Sequence, residues 1–145
     1  MAGLFKRLRG NLKYQDGAKP KIILREYPPK IILAWAKGAE GHSELLDYLF
    51  NNGYKELTMT IHAYYHKPEA IDWLMQNGFP HLLALVNASE GNEEASEWLQ
   101  KNNFLLLHNI ALAISGEKEG FEWLKQNSTQ EFYYLTLNLK TLKEK

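Results

Sequence analysis

Four aromatic residues, Tyr48, Trp73, Trp98 and Trp123, stand 25 residues apart without an insertion. Each is preceded by an acid (Asp47, Asp72, Glu97, Glu122) and followed by a leucine (Leu49, Leu74, Leu99, Leu124). Four positions beyond the aromatic come Asn52, Asn77, Asn102 and Asn127, and then Gly53, Gly78, Asn103 or Ser128. A second acid recurs four positions before it, at Glu44, Glu69, Glu94 and Glu119. A fixed period of this length makes the chain a tandem array, and that decides its fold before any other motif is weighed.

Each unit reads as a helical hairpin. The stretch Glu93–Asn102 places Ala95, Trp98 and Leu99 on one stripe at helical spacing. Early glutamates suit the positive end of a helix, and the closing Asn-Gly or Asn-Asn accepts the left-handed backbone that stops one. A more apolar helix B follows, as in 79–89 and 104–115. It ends at one column holding Gly41, His66, Gly91 and Gly116, while Pro29, Pro68 and Pro80 fall at first helical turns. The frame predicts units near 29–41, 42–66, 67–91, 92–116 and 117–142. The last helix B is also expected, although residues 135–142 alternate with a strand-like period.

A hairpin of about 25 residues cannot bury its own apolar stripe, so neighbouring hairpins must stack. The expected fold is therefore all-α, a right- or left-handed superhelix of about four tandem hairpins behind a basic N-terminal segment, residues 1–28. In architecture it resembles the α-solenoids, broadly of the ankyrin, HEAT or tetratricopeptide kind. It matches no one of these families: their repeats are longer, at ~33 residues or more, and the ankyrin Thr-Pro-Leu-His signature is missing.

Charge is divided along the chain. Residues 1–37 carry nine Lys or Arg against two acids; residues 38–145 carry eight against fifteen, so the formal net charge is zero. Leu4, Phe5, Leu8 and Leu12 form a short apolar stripe flanked by Lys6, Arg7, Arg9 and Lys13, with a linker expected over Gln15–Lys21. That head suits an anionic partner, either a membrane surface or a phosphate backbone, or else a cap on the first hairpin. No run approaches the ~18 apolar residues of a membrane span, and the N-terminus lacks the apolar core of a signal peptide. With no cysteine either, the expectation is a cytoplasmic protein.

No phosphate-binding loop, nucleophile elbow or cysteine nucleophile is present, so no catalytic residue and no cofactor is assigned. His62 and His66 have the i, i+4 spacing of metal ligands but lack a third, so no metal is expected. The aromatic column is assigned to packing between hairpins. The acidic ladder Glu44/Asp47 to Glu119/Glu122 has two readings: solvated helix starts, or a dock for a basic partner such as the head of a neighbouring copy.

Helix B offers the variable positions. One row runs Leu33, Thr58, Leu83, His108, Tyr133, and another Lys37, His62, Asn87, Leu112; Tyr65, His66, Asn109 and Tyr134 lie beside them. Variable polar and aromatic residues on a repeat scaffold suit recognition of a protein or peptide. The expected function is thus a non-enzymatic interaction module. Its candidate contacts are Lys37, His62, Tyr65, His66, Asn87, His108, Asn109, Tyr133 and Tyr134. The alternatives are an anion-directed peripheral protein acting through its head, and a homo-oligomer joining basic head to acidic body.

Overall fold

The computed structural model describes residues 24–145; the apolar stripe of the head, its four basic candidates (Lys6, Arg7, Arg9, Lys13) and the expected linker lie outside them. A short 3-10 turn, Leu24–Glu26, leads into nine α-helices among the described residues. They are α1 (Pro29–Glu40), α2 (Ser43–Asn51), α3 (Lys55–Tyr64), α4 (Pro68–Gln76), α5 (Pro80–Ser89), α6 (Glu93–Lys101), α7 (Leu105–Ile114), α8 (Lys118–Asn127) and α9 (Gln130–Lys143). The final segment is helical despite its alternation, because Phe132, Leu135, Leu139 and Leu142 bury one helical stripe.

The even-numbered helices are the outer, A-type members and the odd-numbered ones the apolar B-type members. Each A helix packs on the B helix before it and the one after it. The leucine column (Leu49, Leu74, Leu99, Leu124) is the anchor of this row, at most 1% exposed. Its aromatic neighbours are less buried than a core layer requires. Tyr48 is 47% exposed, and Trp73, Trp98 and Trp123 are half-buried. Trp73 stacks on Phe79 and Trp98 on Phe104, at ring separations of 5.7 and 5.5 Å. The aromatics therefore seal the rim of each hairpin, and the leucines fill its centre.

The turns follow the repeat columns closely. Gly53 and Gly78 take φ of 94° and 90°, and Asn103 takes 64° in the glycine's place. The preceding asparagine has a separate task. Asn52, Asn77, Asn102 and Asn127 each donate their side-chain amide to the carbonyl of the aromatic four residues earlier, at 2.7 to 3.1 Å. At Trp73 and Trp98 that carbonyl also accepts the asparagine's own backbone N–H, at 3.0 Å, so the side chain adds a second bond at the helix end. At the far end of helix B, His66 holds φ 61° where its counterparts are glycines. Its ring reaches Glu90 of the next hairpin at 3.1 Å, a contact no glycine makes.

The B helices form a closed circuit. α1 packs on α3, α3 on α5, α5 on α7 and α7 on α9, and α9 then packs on α1 in the most extensive helix pairing of the domain. Trp35 of α1 is wholly buried. Asn138 of α9 donates to the Ala36 carbonyl at 2.9 Å, and Tyr134 donates to Glu40 at 2.8 Å. Stacked hairpins normally leave an apolar face at each end. Here the two terminal faces cover each other. The segment before α1 ties down the same region: Leu24 and Tyr27 are buried, and Arg25 donates to the Asn127 carbonyl at 3.2 Å.

Candidate interaction surfaces

The varied rows of helix B lie largely under the A helices. Thr58 donates to the Leu46 carbonyl of α2 at 2.7 Å, His108 Nδ1 lies 3.3 Å from Ser96 Oγ of α6, and Tyr133 packs on Phe121 of α8. Two expected contact residues leave the surface altogether. Asn87 is fully buried, and Asn109 is 8% exposed with its amide bonded to the Leu105 carbonyl at 2.8 Å. The reason is geometric: hairpins that stack tightly enough to close a circuit press each A helix into the groove between successive B helices.

The other candidates divide. Lys37, Tyr65 and His66 are exposed, and His62, His108, Tyr133 and Tyr134 are half-buried. Tyr134 is occupied by Glu40 in the closing seam, and the Tyr133 ring has Lys125 at 5.9 Å. Tyr65 and His66 sit at the end of α3, away from His108 and Tyr133, which face the interior of later hairpins. The structure thus scatters these residues instead of gathering them into one face.

The polar chemistry in the interior is structural. Tyr27 donates to Glu56 at 2.6 Å in a buried pair, and Tyr64 shares a 2.9 Å bond with Ser89 of the next hairpin. Burial pushes both phenols well above their ordinary range, with the Glu56 contact adding to the effect at Tyr27. His62 and His108 are both held below the ordinary histidine value, chiefly by burial. His66 spends its ring on Glu90, and among the described residues no three His, Asp or Glu side chains gather to hold a metal ion. Ser96 and His108 form a serine–histidine contact, but no carboxylate bonds the other ring nitrogen among those residues, so the pair lacks the orienting third member of a nucleophilic triad.

What remains open is the outer surface. Of the eight ladder carboxylates, Glu44, Asp47, Glu69, Asp72, Glu97, Glu119 and Glu122 are exposed. Among the described residues only Glu122 of those seven forms an ion pair with a lysine, Lys118 at 3.9 Å. Their helix positions separate them into two rungs. Glu44, Glu69, Glu94 and Glu119 are each the second residue of their A helix, and Asp47, Asp72, Glu97 and Glu122 are each the fifth. Tyr48 stands beside the second rung, nearly half exposed.

The opposite ends of the A helices carry exposed basic residues, as do two of their starts, at Lys67 and Lys118. Around the A-to-B turns lie Arg25, Lys30, Lys101 and Lys125, all exposed, with Glu26 the exposed acid among them. Lys55 is drawn in at this edge: its ammonium lies 4.8 Å from the Phe50 ring centre and 5.0 Å from that of Trp73, bridging two hairpins through their aromatic faces. Among the described residues no helix is long and apolar enough to cross a membrane. Compared with family models, with curated proteins and with solved structures, the chain matches none of them.

Proposed function

We propose that this protein is a non-enzymatic interaction module that binds a basic segment of another protein along the acidic ridge of its A helices. The reading keeps the interaction role expected of a repeat array and moves its surface from helix B to helix A. Burial of Asn87 and Asn109 and the covering of the His108 and Tyr133 rows support that move.

The observation that carries it is the second rung of the ladder. A carboxylate in the first turn stabilises its own helix by about 0.3–1 kcal/mol through the dipole, so Glu44, Glu69, Glu94 and Glu119 are explained without a partner. That benefit fades within the first turn. Asp47, Asp72, Glu97 and Glu122 lie one turn further on, at the fifth position of their helices, yet repeat as strictly as the first rung. Four like charges held at repeat pitch on an exposed ridge repel one another and contribute little to the fold. A lysine- or arginine-rich partner is what they suit.

The test is titration of a fluorescent lysine-rich peptide into the full chain by anisotropy. The comparison is Glu69→Gln/Asp72→Asn/Glu97→Gln against a control that neutralises the same number of acids off the ridge, Glu26→Gln/Glu117→Gln/Glu144→Gln. Three exposed pairs at about 0.5 kcal/mol each amount to roughly a tenfold loss of affinity for the ridge variant. Equal binding by both variants would remove the ridge as the site.

A further inference from the structure

We infer that α9 is an exchangeable segment whose second partner is α1 of another copy of this chain, so that the circuit of B helices closes between two molecules as it does within one.

The last A-to-B turn is built differently from the three before it. In those three, Gly53, Gly78 and Asn103 take a left-handed backbone. The residue after each, Tyr54, Phe79 or Phe104, donates its N–H to the carbonyl of Leu49, Leu74 or Leu99 at 2.8 to 2.9 Å. That bond ties the start of each B helix to the end of its A helix. In the fourth turn Ser128 stands at the left-handed column with φ −136° and ψ −173°, and Thr129 is extended as well, with φ −105° and ψ 169°. The Leu124 carbonyl is taken by Ser128 itself, through its N–H at 3.0 Å and its hydroxyl at 2.8 Å. The Asn127 side chain bonds the Trp123 carbonyl, and Arg25 bonds the carbonyl of Asn127. The end of α8 is thus completed without α9, and two extended residues lead from it.

The packing divides at the same point. α8 packs extensively on α7, whereas α9 packs far more on α1 than on α8, its own hairpin partner. A displaced α9 would expose the stripe of Phe132, Leu135, Leu139 and Leu142 and would strand the Asn138 and Tyr134 donors. The surface that fits all of these is α1, with the Ala36 carbonyl and Glu40 as acceptors. A second copy offers that surface as soon as its own α9 has left. In the exchanged pair each seam contact is kept and the chain path changes at Ser128 and Thr129, so concentration decides between monomer and dimer. The interchange is slow, because a buried helix must first come away.

The experiment takes the full chain, holds it concentrated just below its melting temperature, cools it and sizes it by chromatography with light scattering. We expect a dimer whose share rises with concentration, which survives high salt and reverts slowly on dilution. The chain has no cysteine, so Glu40→Cys/Tyr134→Cys marks the seam uniquely. A bismaleimide about as long as the two side chains it replaces should join these positions within one chain in the monomer and between two chains in the dimer, which a denaturing gel separates. A chain lacking Ser128 and Thr129 cannot fold α9 back on its own α1 and should be dimeric at every concentration. Ser128→Gly, which permits the left-handed turn of the other hairpins, should lower the dimer share.

A wild type that stays monomeric at every concentration overturns the inference. So does a dimer whose cross-links remain within one chain, or one that salt disperses, since either forms through another surface. If the shortened chain loses its helices by circular dichroism, Ser128→Gly decides: a dimer share equal to or above that of the wild type rules out the hinge.

Discussion

Gly120 occupies a column in which two earlier hairpins carry alanine, Ala70 and Ala95, both fully buried. Judged from the repeat alone, Gly120→Ala should stabilise: it restores the prevailing residue and gains about 1 kcal/mol of helix propensity. The structure predicts the opposite. A β-carbon at Gly120 would lie 2.5 Å from the Ala113 nitrogen and 2.7 Å from the Asn109 oxygen. Ordinary contact for a carbon begins near 3.5 Å, so α8 would have to retreat from α7 by close to ~1 Å. Both obstructing atoms belong to the α7 backbone, and no rotamer change relieves them. Overpacking of this kind costs typically about 1–3 kcal/mol, and a backbone clash belongs at the upper end. Set against the propensity gain, the net loss is about 2 kcal/mol, or some 4–8 °C in melting temperature for a domain of this size. Urea and thermal unfolding followed by circular dichroism would measure it. Ala95→Gly is the companion variant, expected to lose about 1 kcal/mol by propensity plus a small packing term. If Gly120→Ala melts above the wild type, the close approach of α8 to α7 is wrong.

Two further outcomes follow from buried polar groups. Asn87 is fully buried, and among the described residues neither its amide nitrogen nor its oxygen has a hydrogen-bond partner. Since leucine is nearly the same shape and the third hairpin already places Leu112 in this column, Asn87→Leu should raise stability in urea by about 1–3 kcal/mol; a loss of stability would show that the amide is satisfied after all. For His62 and His108, burial holds the folded pKa below the ordinary 6.5, with Lys67 adding to the effect at His62 and the Ser96 contact opposing it at His108. The folded state therefore favours the neutral rings. Their contribution is complete above about pH 6.5 and is lost as the pH falls through the lowered folded values. The stability difference between wild type and His62→Gln/His108→Gln should accordingly shrink or reverse below pH 6.5, and a difference that is flat with pH would refute the sign.

The fold was legible in the sequence because repetition reports packing many times over. The leucine column, the proline starts and the glycine stops each recur, and every recurrence predicts the same element. Two things were not legible. The closing of α9 on α1 is a contact between the two ends of the array, so no repeat column encodes it; Tyr134 and Asn138, which serve it, each look like a local exception. The covering of much of helix B was not legible for a related reason. Variation at a repeat position suits an exposed residue, but Thr58, His108 and Tyr133 vary because each meets a different residue of the A helix before it. The asparagine column was read as a helix stop, and its side-chain bond to the fourth-previous carbonyl emerged only with the geometry. That role was within reach of sequence reasoning, since a turn glycine alone does not need an invariant asparagine before it.

Closure also bears on where such a molecule can be useful. An open array binds along its concave face and is extended or capped at its ends, so its surface grows with each hairpin added. In this chain the B helices consume the concave face by packing on one another round the circuit, and α1 and α9 consume the ends. Among the described residues the A helices and the two rims of turns remain, with a few exposed positions on the B helices such as Leu33, Lys37 and Leu137. The sequence on those elements is what one would choose if binding were electrostatic: acids at the second and fifth positions of each A helix, and lysine or arginine around the A-to-B turns. Two rungs are informative where one would not be. Helix stability accounts for a carboxylate at the start of each A helix, but it leaves Asp47, Asp72, Glu97 and Glu122 unexplained, and a basic partner does not.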